Sequence, residues 1–78
     1  MYQVERWAVR RWQTATRYYT VEVIQDLFGD WCLRSSWGGL GARSGQARVT
    51  SMPDYLAAIT ALQQIDKRRR ARGYQPVL

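Results

Sequence analysis

The sequence predicts an α+β fold: an antiparallel sheet of about four strands with one long C-terminal helix packed on one face. Three observations carry this reading. Up to residue 50, apolar and β-branched residues alternate with polar ones in short runs. Breaks containing Gly, Thr or Asp separate those runs. After residue 50 the period changes to about 3.6, in one long stretch rich in Ala, Leu and Gln. Strands followed by a helix give an α+β order, not a parallel βαβ one. With 78 residues, the chain is expected to form one domain over 1–78, with a core over about 4–75 and a tail over 74–78.

The elements follow in order. Val4–Trp12 alternates, with Trp7 and Val9 on one face and Arg6, Ala8 and Arg10 on the other. Thr14–Thr16 breaks the run. "RYYTVEVIQDLF", Arg17–Phe28, predicts the strongest strand, with Tyr19, Val21 and Val23 sharing one face. Gly29–Asp30 predicts a two-residue type II′ turn, so that Trp31–Trp37 pairs antiparallel with the strand before it. Gly38–Gly45 is expected as a glycine-rich loop. Gln46–Val49 is expected as a short strand with Ala47 and Val49 inward.

The segment from Ser51 to Tyr74 predicts a helix of about five turns. Ser51 is the expected N-cap, with Pro53 in the first turn and Asp54 near the positive helix end. Tyr55, Ala58, Ile59, Leu62 and Ile65 form an apolar stripe, widened by Leu56. Gly73 is the expected stop, and Pro76 prevents further helix. The stripe is expected to lie on Trp7, Val9, Tyr19, Val21, Val23, Leu33 and Val49.

Composition narrows the function. Twelve Lys and Arg face six acids, for a net charge of +6, and only Lys67 is a lysine. The planar guanidinium fork matches phosphate better than an ammonium does. Four Trp, five Tyr and one Phe add a heavy aromatic load. Basic charge with exposed rings points to nucleic acid. Small proteins are also often basic without a specific polyanion partner. Cys32 stands alone, and there is no His. No apolar run approaches the ~18 residues of a membrane span, and the start lacks a signal-peptide core. A soluble, cytoplasmic protein with no membrane partner is expected. No metal cluster or carboxylate pair is visible, and Cys32 lacks the usual base. The glycines lack the spacing of a phosphate-binding loop or a dinucleotide fingerprint. No enzyme, no cofactor and no small-molecule substrate are expected.

The most informative stretch is "SSWGGLGARSGQARV", Ser35–Val49. An exposed Trp37 would pack on a sugar or base face. Gly38, Gly39 and Gly41 would let the backbone approach a phosphate closely. Arg43 and Arg48 would pair with phosphates on either side. Burial is the competing reading, because parity places Trp37 on the face of Trp31 and Leu33. Only a bulge near Ser35–Ser36 or the end of the strand would turn it outward. Arg17 and Arg34 are further candidates. Lys67 and Arg68–Arg72 point around the whole helix, so only two or three, with Lys67 and Arg70 chosen, would reach a polyanion. Part of that run also opposes the negative helix end, and Asp66 can pair with Arg70.

"RYYTVEV", "DLFGDW", "SSWGGLG" and the closing "RRRARGY" together resemble a WGR domain, over about Arg6 to Gln75. That family occurs in poly(ADP-ribose) polymerases and in bacterial proteins, some of them stand-alone. Trp37 and Gly38 match the first two motif positions, but Gly39 stands where the family has Arg. The resemblance implies non-catalytic nucleic-acid binding, DNA more than RNA, with the motif Trp against the sugar-phosphate backbone near a strand end. In the polymerases the motif Arg couples the domain to its neighbours, so Gly39 bears on that relay more than on binding. The candidate binding set is Trp37, Gly38, Gly39, Arg43, Arg48, Arg34, Arg17, Lys67 and Arg70. The alternative is a protein-interaction module using the same aromatics and arginines, since Tyr, Trp and Arg also dominate protein interfaces. Salt separates the two.

Overall fold

The computed structural model describes residues 2–77. A short 3-10 turn, Val4–Arg6, precedes strands β1 (Ala8–Gln13), β2 (Arg17–Gln25), β3 (Trp31–Gly39) and β4 (Gln46–Ser51), helix α1 (Tyr55–Ala71) and β5 (Gln75–Pro76). The sheet order is β4-β3-β2-β1-β5, and every neighbouring pair is antiparallel. The α+β fold is therefore as expected, with a fifth strand added. That strand comes from the segment expected as a tail. Trp12 pairs with Pro76 and Gln13 with Gln75, and Val77 N–H donates to the Arg11 carbonyl at 2.9 Å. Pro76 is tolerated there because β5 is an edge strand, where a missing N–H costs no ladder bond.

Residues directly opposite across an antiparallel pair share a face. The helix side of the sheet therefore carries Trp12, Tyr19, Val21, Val23, Leu33 and Trp37. Trp12, Val21, Val23 and Leu33 are buried there against Ala58 and Leu62 of α1. Three expected contributors to that face are elsewhere. Trp7 and Val9 are exposed, because the 3-10 turn delays the strand to Ala8 and the even-numbered Trp12 takes the inward position. One parity had to lose, and Trp12 is the one that meets α1, where its indole N–H reaches Asp66 Oδ1 at 2.8 Å. Val49 is also exposed, and β4 turns Gln46 and Arg48, not Ala47 and Val49, toward the helix side. All of β4 is exposed, so its alternation carries no packing information.

The turns and caps differ in detail from the sequence reading. Between Asp26 and Asp30 the loop has three residues, not two. Asp26 N–H donates to the Asp30 carbonyl at 2.9 Å, and Gly29 closes the loop at φ 83. Ser51 ends β4, and Asp54 caps α1 instead, its Oδ1 accepting from Ala57 N–H at 2.8 Å. Leu56 lies off the apolar stripe and is exposed. Gly73 stops the helix as expected, at φ 88. Gly73 N–H donates to the Arg70 carbonyl and Tyr74 N–H to the Arg69 carbonyl, the two bonds of a Schellman motif. No helix among the described residues is long and apolar enough to cross a membrane.

Candidate nucleic-acid interface

The β2–β3 register sets Tyr19 opposite Trp37, and their rings stack at 5.7 Å with 14° between planes. β3 pairs continuously with β2 from Trp31 to Gly39, so no bulge redirects Trp37. It keeps the face of Trp31 and Leu33 but lies outside the buried cluster, packed on Tyr19 and half-buried. Neighbouring β4 contributes Arg48, whose guanidinium lies 6.0 Å from the Trp37 ring centre. On the other side, Arg69 of α1 lies 4.5 Å from the Tyr19 ring and 5.2 Å from that of Tyr74. The Schellman motif brings Tyr74 back against Arg69. The result is a continuous row: Arg48, Trp37, Tyr19, Arg69 and Tyr74.

Arg69 is the least satisfied member of this row. Its Nε is buried without a hydrogen-bond partner, and no carboxylate pairs with it among the described residues. Two ring faces hold the cation electrostatically. A buried donor left unpaired is costly, so the ring contacts are what offset the placement of this cation.

The opposite face of the Trp-Gly pair does structural work. Gly38 faces away from Trp37 and lies under the Tyr18 ring. A Cβ at Gly38 would sit 3.2 Å from Gly45 Cα and 3.3 Å from Tyr18 Cε1. At Gly45 it would meet the Trp37 carbonyl oxygen at 2.5 Å and the Tyr18 hydroxyl at 2.6 Å. Arg11 covers the same Tyr18 ring at 4.7 Å. These glycines thus let the 40–45 loop fold back onto the Trp37 backbone. Gly45→Ala is expected to lower stability by about 1–3 kcal/mol, as overpacking does. A urea melt matching wild type would show that the loop moves aside freely. Gly39 is different. Its φ is not positive, and the nearest atoms to an added Cβ are at 3.8 Å, so a side chain fits there.

The other candidates divide by location. Arg17 pairs across the ladder with Gly39 at the same end of the sheet as Trp37, and is exposed. Arg43 is exposed on the 40–45 loop, and Lys67 is exposed on α1. Arg34 lies on the far face, where it donates to both Glu22 oxygens at 2.8 and 2.9 Å. Arg70 pairs with Asp66 at 3.0 Å. The hydrogen bond from Trp12, then those of Arg70, hold the Asp66 carboxyl below the usual range, although partial burial opposes this. On the far face, burial and then the Asp26 charge push the Cys32 thiol up, away from thiolate. Among the described residues, no group of three His, Cys, Asp or Glu is placed to hold a metal.

The candidate set omitted Tyr19, Arg69 and Tyr74. The signal for Arg69 was present: it lies four residues after Ile65 and seven after Leu62, so it continues the apolar stripe toward the sheet. A cation in that position has to lie against rings.

Comparison with known proteins places the chain in a family. An uncharacterized protein of Sinorhizobium fredii (strain NBRC 101917 / NGR234), y4dW, is 35% identical over 60 residues. The matched segment is 77% of this chain and 29% of that protein, so the chain spans less than a third of the relative's length. No solved structure matches significantly. The family model for the WGR domain matches residues 4–78, and the chain belongs to that family.

Proposed function

We propose that this WGR domain binds nucleic acid without catalysing a reaction, DNA in preference to RNA, through sugar and phosphate and not through base edges. The observation that carries this reading is the row of Arg48, Trp37, Tyr19, Arg69 and Tyr74. It combines a half-buried stacking platform with cations that lack acidic partners among the described residues. Trp37 offers a ring to a sugar or a terminal base, most readily where a strand ends. Arg48 and Arg69 flank it, and Arg17 and Arg43 extend the positive rim. Gly38 packs under the Tyr18 ring and supports the Trp37 strand from behind, Gly39 leaves room beside Trp37, and Lys67 adds charge at the rim. Arg34 and Arg70 contribute less, because Glu22 and Asp66 already engage them.

Titration against blunt, nicked and single-stranded DNA tests the reading. Trp37→Ala is expected to weaken binding by about 1–3 kcal/mol, the range for a lost stacking contact. Its melting temperature should stay near wild type, since Trp37 lies outside the buried cluster. A large loss of melting temperature, with affinity per folded molecule retained, would make Trp37 a structural ring and sink the proposal.

A further inference from the structure

Charge and apolar surface are segregated between the two ends of the sheet. Where β2 turns into β3 and α1 begins lie Glu5, Asp26, Asp30 and Asp54, with Arg6 as the one basic side chain there among the described residues. The opposite end holds Arg17, Arg43, Lys67, Arg68, Arg69, Arg70 and Arg72 against Asp66. The acidic end is also the apolar one. At the tip of the β2–β3 hairpin, Leu27 is 90% and Phe28 87% exposed. Beside them a groove of about 510 Å³ is lined by Tyr2, Val4, Trp7 and Leu27, with Gln25 and Asp26 at its polar margin.

This groove is built and held. Buried Gln25 accepts from Gln3 N–H at 2.6 Å and from the Trp7 indole at 3.2 Å, and donates to the Gly29 carbonyl at 2.8 Å. One side chain therefore ties the N-terminal arm to the hairpin. Asp26 Oδ1 accepts from Phe28 N–H at 2.9 Å and Asp30 N–H at 3.0 Å, which fixes the tip. Leu27 and Phe28 stand out from it without a packing role in the fold. Adjacent exposed residues of this size beside an apolar groove mark an interaction surface.

We propose that this end docks a basic, amphipathic segment of a protein partner. Apolar side chains of that segment seat on Leu27 and Phe28 and enter the Tyr2–Val4–Trp7 groove, while its Lys and Arg pair with Glu5, Asp26 and Asp30. Charge complementarity selects this occupant. Nucleic acid and anionic membranes are repelled by the acids. A second copy would present either the same acidic end or a basic end whose exposed aliphatics, Leu40 and Val77, are each less exposed than Leu27 and Phe28. The inference concerns the end away from Trp37 and does not depend on the nucleic-acid reading.

The test uses ¹⁵N-labelled chain and three synthetic 14-residue probes: alternating Lys and Leu, the same with Ser for Leu, and the same with Glu for Lys. Only the Lys–Leu probe is expected to bind, shifting amides of Gln3–Trp7 and Asp26–Asp30. Leu27→Ser with Phe28→Ser should weaken it about tenfold or more, as for interface anchors. The melting temperature and the DNA titration of that variant should not change. Equal binding of the Glu probe, no shifts up to about 1 mM, shifts confined to the Trp37 end, or unchanged affinity in the double variant would each overturn the proposal. So would a wild-type dimer in sedimentation that the double variant converts to monomer, which would make a second copy the occupant.

Discussion

Trp12→Ala is expected to lower stability by about 3–5 kcal/mol, the range for removing a buried Trp. A chain this small has little more than that to lose, so the variant should be largely unfolded at room temperature. Trp12 is 1% exposed and belongs to the cluster with Val21, Val23, Leu33, Ala58 and Leu62. Its indole N–H also anchors Asp66, one turn from the helix end. Trp12→Phe separates the two contributions, since it keeps an apolar ring and removes the donor. The Asp66 carboxyl has its folded pKa lowered, with the Trp12 bond as first cause. Its contribution is therefore present above the unfolded Asp value of about 3.9 and is lost as pH falls through the lower folded value. Urea midpoints from about pH 6 down to pH 2 should fall less steeply for Trp12→Phe than for wild type. A Trp12→Ala midpoint equal to wild type would show that the helix does not pack on the sheet as described.

Salt should produce the largest change in binding. Arg17, Arg43, Arg48, Lys67 and Arg69 have no carboxylate partner among the described residues. If four or five of them neutralise phosphates, the log–log salt slope on duplex DNA is about −4, and raising salt from about 50 to 200 mM weakens binding by a few hundredfold. Arg48→Gln and Arg69→Gln should each reduce the slope by about one unit and weaken all sequences alike. Arg34→Gln is the internal control. Glu22 already holds that guanidinium on the far face, so the slope should not move. Gly39→Arg restores the family's third motif position at a site with room and an ordinary φ, and should steepen the slope by about one unit. A flat salt response would favour a protein-interaction module instead.

The sequence made the sheet legible where residues pack on both sides of a decision. Val21, Val23 and Leu33 alternate because one face meets α1 and the other does not. The Val4–Trp12 run was ambiguous for a physical reason. Trp7 and Trp12 have opposite parity, both are large, and only the helix decides between them. β4 misled because nothing covers it, so its apolar residues are no guide to direction. At the candidate site, Trp37 and its neighbouring glycines were conspicuous as a local stretch. Tyr19 and Arg69 were not, because their contact joins positions 50 residues apart through the sheet register and the helix end. Gly45 was legible as loop glycine but not as the one residue that fits between Tyr18 and the Trp37 carbonyl.

The separation of acids from cations along the sheet gives the molecule a permanent dipole moment in addition to its net charge of +6. In the field of any polyanion such a body experiences a torque as well as an attraction. It turns its arginine-rich end forward while still separated by solvent, so that more first collisions occur in a docked orientation. The gain falls in the association rate and not in the lifetime of the complex, and it fades once the Debye length drops below about 10 Å. Exchanging Asp30 and Glu5 for Asn and Gln would raise the net charge yet shrink the dipole. Opposite effects of that pair on attraction and on alignment make stopped-flow association rates, compared across ionic strengths, sensitive to the orientation of approach itself.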